Sequence, residues 1–239
     1  MDIDEYSNDS IITNISTCDD CPFLFGTEEF EYTPKVEELE PEINNVVSSA
    51  YLGNNLNLKN IALKIKNAEF NTSKSSSLIL KTNNKNISAT IFSNGKIICT
   101  GAKNEKESKS YCIKFSKILK RNGFNIELKD FKIQNIIASY DVKFQISLTD
   151  LHNKINCLIN SNNSKYFDYD KNNHCKYNKD VFSGLILYLN KLKISVLIFE
   201  SGKIVLSGAK KRENLEDIFK QIYPILTECK NVDKNEKYF

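Results

Sequence analysis

Polar and apolar residues alternate through two stretches that begin at Ile91 and Ile198, IFSNGKIICTGAK and IFESGKIVLSGAK, and eight of the thirteen positions are identical. Alternation of period two marks a strand, and Gly95 and Gly202 stand where a tight turn favours positive φ, so each stretch reads as strand, turn, strand. Gly101 and Gly208 mark the exits from the second strands. Successive strand side chains point to opposite faces. Thr90, Phe92, Ile98 and Thr100 therefore share one face, and Ile91, Ile97 and Cys99 the other. In the second copy Leu197, Phe199, Val205 and Ser207 take the first face, and Ile198, Ile204 and Leu206 the second.

The correspondence extends beyond the hairpin. At an offset of 107, Leu78, Ile79 and Leu80 align with Leu185, Ile186 and Leu187, while Tyr111, Phe115, Ile118 and Leu119 align with Ile218, Ile222, Ile225 and Leu226. The second set is spaced as one apolar stripe on a helix. Pro224 is expected to kink or break the later copy, because it removes a helical donor. Upstream the offset falls to 90, pairing INNVVSS at Ile43 with IQNIIAS at Ile133, so the second copy carries 17 additional residues. Their expected place is the Asn-rich stretch 152–179, read as a surface loop.

These patterns predict an α+β fold with internal pseudo-twofold symmetry, its repeats at 41–131 and 132–230, with a short tail at 231–239. One helix stripe per half covers only one face of the sheet. The other face, carrying Ile, Val, Phe, Thr and Asn, is either a binding surface or is covered by a second sheet or a dimer.

Charge changes the picture. Residues 1–40 hold twelve acidic groups and one lysine, a balance of −11, whereas the remaining 199 residues hold 32 basic and 18 acidic groups, a balance of +14. A basic body with an acidic arm points to a polyanionic partner. The arm lacks sustained periodicity and is expected to be disordered; it either competes with that partner for the basic surface or serves recruitment and solubility.

Seven cysteines without an export signal read as free thiols in an intracellular protein. Cys18 and Cys21 have zinc-ligand spacing, but no second pair lies nearby and His152 and His174 are remote, so neither metal nor other cofactor is expected. No apolar run reaches the roughly 20 residues of a membrane span. No Gly-rich phosphate loop or convergent catalytic cluster is present, so an enzyme is not expected.

FKIQN, DVKF, NAEF, the doubled GKI…GAK and IYPIL together resemble the core of the TATA-box-binding protein family, from about Pro41 to Cys229. The resemblance implies a saddle, a curved ten-stranded antiparallel sheet with helices on the convex face and promoter DNA under the concave face. Members of that family kink the duplex from the minor groove by wedging apolar rings between base steps. The resemblance implies that Asn45 and Asn135 meet the groove floor, with Val47, Ile137, Ile98 and Val205 beside them and Thr100 and Ser207 near the centre.

By the same resemblance Phe92, Phe182 and Phe199 are wedge rings, flanked by Thr90 and Leu197. The fourth wedge position is Ser75, and Thr90 stands where the family prefers a larger aliphatic residue. Bending is therefore expected to be weaker at the Phe92 end, and Ser75→Phe is expected to strengthen binding or bending. Lys74, Lys81, Lys96, Lys103, Lys191, Lys203 and Lys210 fall at or near the phosphate-facing edges. The resemblance also implies a protein-partner surface on Lys109, Lys114 and Lys117 for transcription factor IIA and negative regulators. Asn178, Asp180 and Val181 partly retain a docking segment for transcription factor IIB. TBP-associated factors are implied as further partners and the nucleus as the location. A TBP-related factor with altered promoter preference and a protein-interaction module are the alternatives.

Overall fold

The computed structural model describes residues 33–70, 76–82, 86–160 and 172–231. The first repeat runs β1 (Glu42–Tyr51), α1 (Leu58–Lys64), β2 (Ala68–Phe70), β3 (Ser77–Lys81), β4 (Ser88–Phe92), β5 (Lys96–Ala102) and α2 (Glu105–Arg121). The second runs β6 (Lys129–Asp141), α3 (Leu148–Asn160), β7 (His174–Asn178), β8 (Phe182–Leu189), β9 (Ile194–Phe199), β10 (Lys203–Ala209) and α4 (Arg212–Glu228). The ten strands form one antiparallel sheet in the order β2-β3-β4-β5-β1-β6-β10-β9-β8-β7, a palindrome in which each strand mirrors its repeat counterpart about the β1/β6 pair.

One face of this sheet is covered by the helices. Ala89, Ile91, Ile97 and Cys99 of the first repeat, and Val196, Ile198, Ile204 and Leu206 of the second, are buried against them. The α2 stripe of Cys112, Phe115 and Leu119 closes one half and Leu215, Ile218, Phe219, Ile222 and Leu226 of α4 the other. Asn104 caps α2, its side chain accepting from the Glu107 N–H at 2.7 Å. Glu105 and Glu107 in the first turn and Lys120 and Arg121 in the last complement the helix dipole.

Three expectations are corrected. Pro224 does not break α4, which continues as an α-helix to Glu228; buried Ile222, Tyr223, Ile225 and Leu226 on both sides hold the segment, offsetting the lost donor. Part of the stretch 152–179 is regular structure. α3 runs to Asn160, six residues past the position matching the end of α1, and His174–Asn178 pairs with β8. Its Asn content concealed the apolar positions Leu148, Leu151 and Ile155 that bury one face of α3. Finally, order begins before Pro41: Val36–Glu38 forms a 3-10 turn, Val36 and Leu39 pack on the core, and the Tyr223 hydroxyl donates to the Pro34 carbonyl. The acidic side chains around them made this segment read as part of the arm.

Candidate nucleic-acid interface

The centre of the uncovered face is built by four residues on two adjacent strands. Asn45 pairs with Ile137 and Val47 with Asn135, flanking the buried pair Val46 and Ile136. On either side the β1/β6 register shifts, between Ile43 and Asn45 and between Val47 and Ser48. Each shift turns the chain over, so Ile43 and Ile133 pack on the helix-covered core.

The two asparagines are fixed by the neighbouring strands. In β5 and β10 the register slips near Gly101 and Gly208, whose φ values are 98° and 116°. A Cβ at Gly101 would lie 2.1 Å from the Asn86 carbonyl oxygen and one at Gly208 2.2 Å from that of Lys193. Glycine is required at both places by backbone conformation and by close approach. The bulge directs each glycine N–H to a side chain: Gly101 donates to Asn45 Oδ1 at 2.8 Å and Gly208 to Asn135 Oδ1 at 2.7 Å. Because the oxygen faces the N–H, the amide orientation is set by the network. Each Nδ2 remains without a partner among the described residues, a two-proton donor in the middle of a face otherwise lined by apolar and hydroxyl side chains.

Rows of half-buried side chains extend from this centre. In the first repeat Ile79, Thr90 and Ile98 lie abreast, and in the second Ile186, Leu197 and Val205. Thr100 stands beside Ser88, their hydroxyls 3.1 Å apart, while Ser207 pairs with both Ser195 and Ile137. Sequence reading missed Ile79 and Ile186, whose continuous apolar strands did not reveal which face each residue took.

The ends of the face differ. Phe182 and Phe199 form an edge-to-face pair with ring centroids 5.8 Å apart. Gly184 makes room for it: a Cβ there would lie 2.8 Å from Phe182 and 3.1 Å from Phe199. At the other end Phe92 pairs with Ser77. Phe70, the nearby aromatic of β2, pairs with fully buried Leu78 and packs on the core, so it takes the covered face and does not replace the missing ring. Ser75 and Lys74, like Cys18 and Cys21, lie outside the described residues.

Cations surround the face unevenly. Lys96 and Lys203 open β5 and β10 on the same side as Ile98 and Val205, while Lys103, Lys191 and Lys210 are exposed beyond strand ends. Lys81 holds Glu69 at 2.7 Å, an exposed ion pair that a phosphate can compete for. Lys203 pairs across the sheet with Asp141, whose carboxyl is held below its ordinary range by the Lys143 ammonium at 2.8 Å.

On the opposite side, Lys109, Lys114 and Lys117 are exposed on α2, with the Lys114 ammonium 5.3 Å from the Tyr111 ring centroid. Asn178 organises the β7/β8 turn, its side chain accepting from the Asp180 N–H and its carbonyl from that of Val181. Val181 is 81% exposed, an apolar tip on that turn.

Comparison with known proteins agrees with this construction. The family model described as "Transcription factor TFIID (or TATA-binding protein, TBP)" matches residues 40–122 and 130–229, one segment per repeat. The TATA-box-binding protein of Acanthamoeba castellanii is 42% identical over 190 residues, covering 80% of this chain and 67% of that protein. TATA-box-binding protein 2 of Arabidopsis thaliana is 38% identical over 209 residues, covering 87% and 96% respectively. The solved structure of Methanococcus jannaschii TBP superposes with a TM-score of 0.63 at 30% identity, over 79% of this chain and 99% of that one. Two matched repeats, one palindromic sheet and a shared saddle fold place this chain in the TATA-binding protein family, a family of transcription factors and not of enzymes.

Proposed function

We propose that this chain is a general transcription initiation factor that binds and bends A·T-rich promoter DNA through the minor groove and nucleates assembly of the initiation complex in the nucleus. The observation that carries the reading is the pair of Asn45 and Asn135 amide nitrogens, without a partner among the described residues and held by Gly101 and Gly208 in the middle of a face of apolar and hydroxyl side chains. The minor-groove floor of A·T pairs offers only acceptors, adenine N3 and thymine O2, which match these donors. A guanine amino group would meet apolar Val47, Ile137, Ile98 or Val205 instead.

The Phe182–Phe199 pair and Phe92 supply wedges for partly unstacked steps, and the lysines at the edges neutralise phosphates. Other surfaces serve proteins: the basic α2 face on the helix side for transcription factor IIA and negative regulators, the Asn178–Val181 turn at the outer edge of the sheet for transcription factor IIB, and the remainder of the helix side for TBP-associated factors. The experiment is equilibrium binding to a duplex with an A·T-rich centre and to one with a G·C centre, using the wild type and Asn45→Ala/Asn135→Ala. Loss of two net hydrogen bonds, about 1 kcal/mol each, predicts about 30-fold weaker A·T binding and a smaller preference over G·C. An unchanged preference in the double variant contradicts the reading.

A second reading, a TBP-related factor with altered promoter preference, draws on Ser75 at the position corresponding to Phe182 and on Thr90 in the row where the second repeat has Leu197. Selection of duplexes from a randomised pool separates the two: the first yields A·T-rich centres, the second a different consensus.

A further inference from the structure

The edge strand β7 extends the uncovered face in a way its counterpart β2 does not. His174 pairs with Tyr188, Cys175 with Leu187 and Lys176 with Ile186. Leu187 is fully buried on the helix side, whereas Ile186 belongs to the open row through Leu197 and Val205. Alternation therefore sets His174 and Lys176 on the open face, outside β8, and both are exposed.

Their surroundings leave both available to an anion. The His174 ring lies 5.1 Å from that of Tyr188, and its Nδ1 is 3.3 Å from the Asn172 carbonyl oxygen. With Nδ1–H donating to that carbonyl, Nε2 is left to take up a proton and donate it outward. The groups around His174 are thus the Tyr188 ring of β8, the Asn172 carbonyl and Lys176 on its own strand. No carboxylate among the described residues pairs with His174 or Lys176. At the offset of 107 the first repeat has Asn67 and Glu69 in their places, and Glu69 occupies Lys81 at 2.7 Å. One outer end of the face is thus cationic and the other is neutralised by its own ion pair.

We infer that His174 and Lys176 form an additional phosphate-binding patch that continues the DNA-facing surface outward at the second repeat alone. The patch rests on the DNA-binding reading above and deepens it: backbone grip and the paired aromatic wedge fall at the same end. Lys176 supplies a fixed positive charge. The His174 imidazole beside it supplies a second group that can carry positive charge toward a phosphate.

The test measures affinity of the full chain for an A·T-rich duplex against salt concentration, for the wild type, Lys176→Ala and His174→Gln. Each phosphate contact contributes about 0.9 to the slope of log K against log salt. Lys176→Ala is expected to lower the slope by about 0.9 at any pH. His174→Gln, which removes the ring donor beside Lys176, is expected to lower it in the same direction by at most about 0.9. The chain's other histidine, His152 on α3, has its ring tilted against that of Tyr177 at 6.4 Å between centroids and serves as the control substitution. Slopes equal to the wild type in both variants, with tight binding retained, overturn the patch and leave the DNA reading standing. Absence of salt-dependent DNA binding by the wild type overturns both.

Discussion

The two repeats share a backbone and a central face but are filled differently. Across the core of the second, Tyr140 stacks on Phe219 at 3.6 Å between ring centroids, and Tyr223 lies 5.7 Å beyond. The matching positions of the first are Ala50, Cys112 and Ser116. The first half instead carries small polar or soft pairs: Ser48 and Ser108 hydroxyls 2.6 Å apart, and Cys99 and Cys112 sulfurs 3.3 Å apart. Their counterparts are Ala138 with Leu215 and Leu206 with Phe219. The outer face repeats the contrast, with a ring pair over Gly184 at one end and, among the described residues, the single ring of Phe92 over Ser77 at the other. Duplication preserved what the centre of the face needs, two asparagines on two bulged glycines, and left packing and wedges free to diverge.

The comparison is broken most directly in the core. Phe219→Ala removes a fully buried ring and is expected to cost about 3–5 kcal/mol, whereas Cys112→Ala, at the same place in the other half, costs about 1 kcal/mol. Urea unfolding of both variants checks this; equal losses would mean that the halves are packed alike. The centre should behave in the opposite way. Gly101→Ala and Gly208→Ala each put a Cβ against a carbonyl oxygen at positive φ and are expected to lose similar amounts, at least about 1–2 kcal/mol. A large difference between these two would show that the bulges are not equivalent.

The ends can be sharpened with smaller changes. Gly184→Ala crowds Phe182 and Phe199 and is expected to reduce the bend of a bound duplex, read from end-to-end dye distance, while Ser77→Ala leaves it unchanged. The smallest effect concerns Asp141 and Lys143, which replace Tyr51 and Gly53 of the first repeat. Lys143 holds the Asp141 carboxyl below its unfolded value, so the contribution is complete above about pH 4–5 and is lost as pH falls through the folded value. Lys143 is largely and Asp141 partly solvated, which limits it to under about 1 kcal/mol. Asp141→Asn should therefore narrow the stability difference between neutral and acid pH slightly, measurable by thermal unfolding at both.

Much of this was legible because the period-two pattern is unambiguous where one face is buried. The hairpin faces follow from IFSNGKIICTGAK alone, and burial of Ile97 and Cys99 beneath half-exposed Ile98 and Thr100 agrees with them. The role of Gly101 and Gly208 was not legible, because a glycine at a strand exit does not reveal which side chain accepts its N–H. Gly184 carried a signal in being a glycine inside a strand, yet its purpose depends on two rings brought together by pairing of β8 with β9. The length of α3 was obscured by polar composition, and the continuity of α4 through Pro224 by a local rule that tertiary burial overrides.

The most direct test of the central claim is energy transfer between dyes at the two ends of a short duplex, titrated with the full chain, with an A·T-rich centre and with a G·C centre. Tight binding accompanied by a shortened end-to-end distance on the A·T-rich duplex alone is the predicted result. Binding with no change in distance, or equal shortening of both duplexes, would contradict recognition of the A·T minor groove by bending.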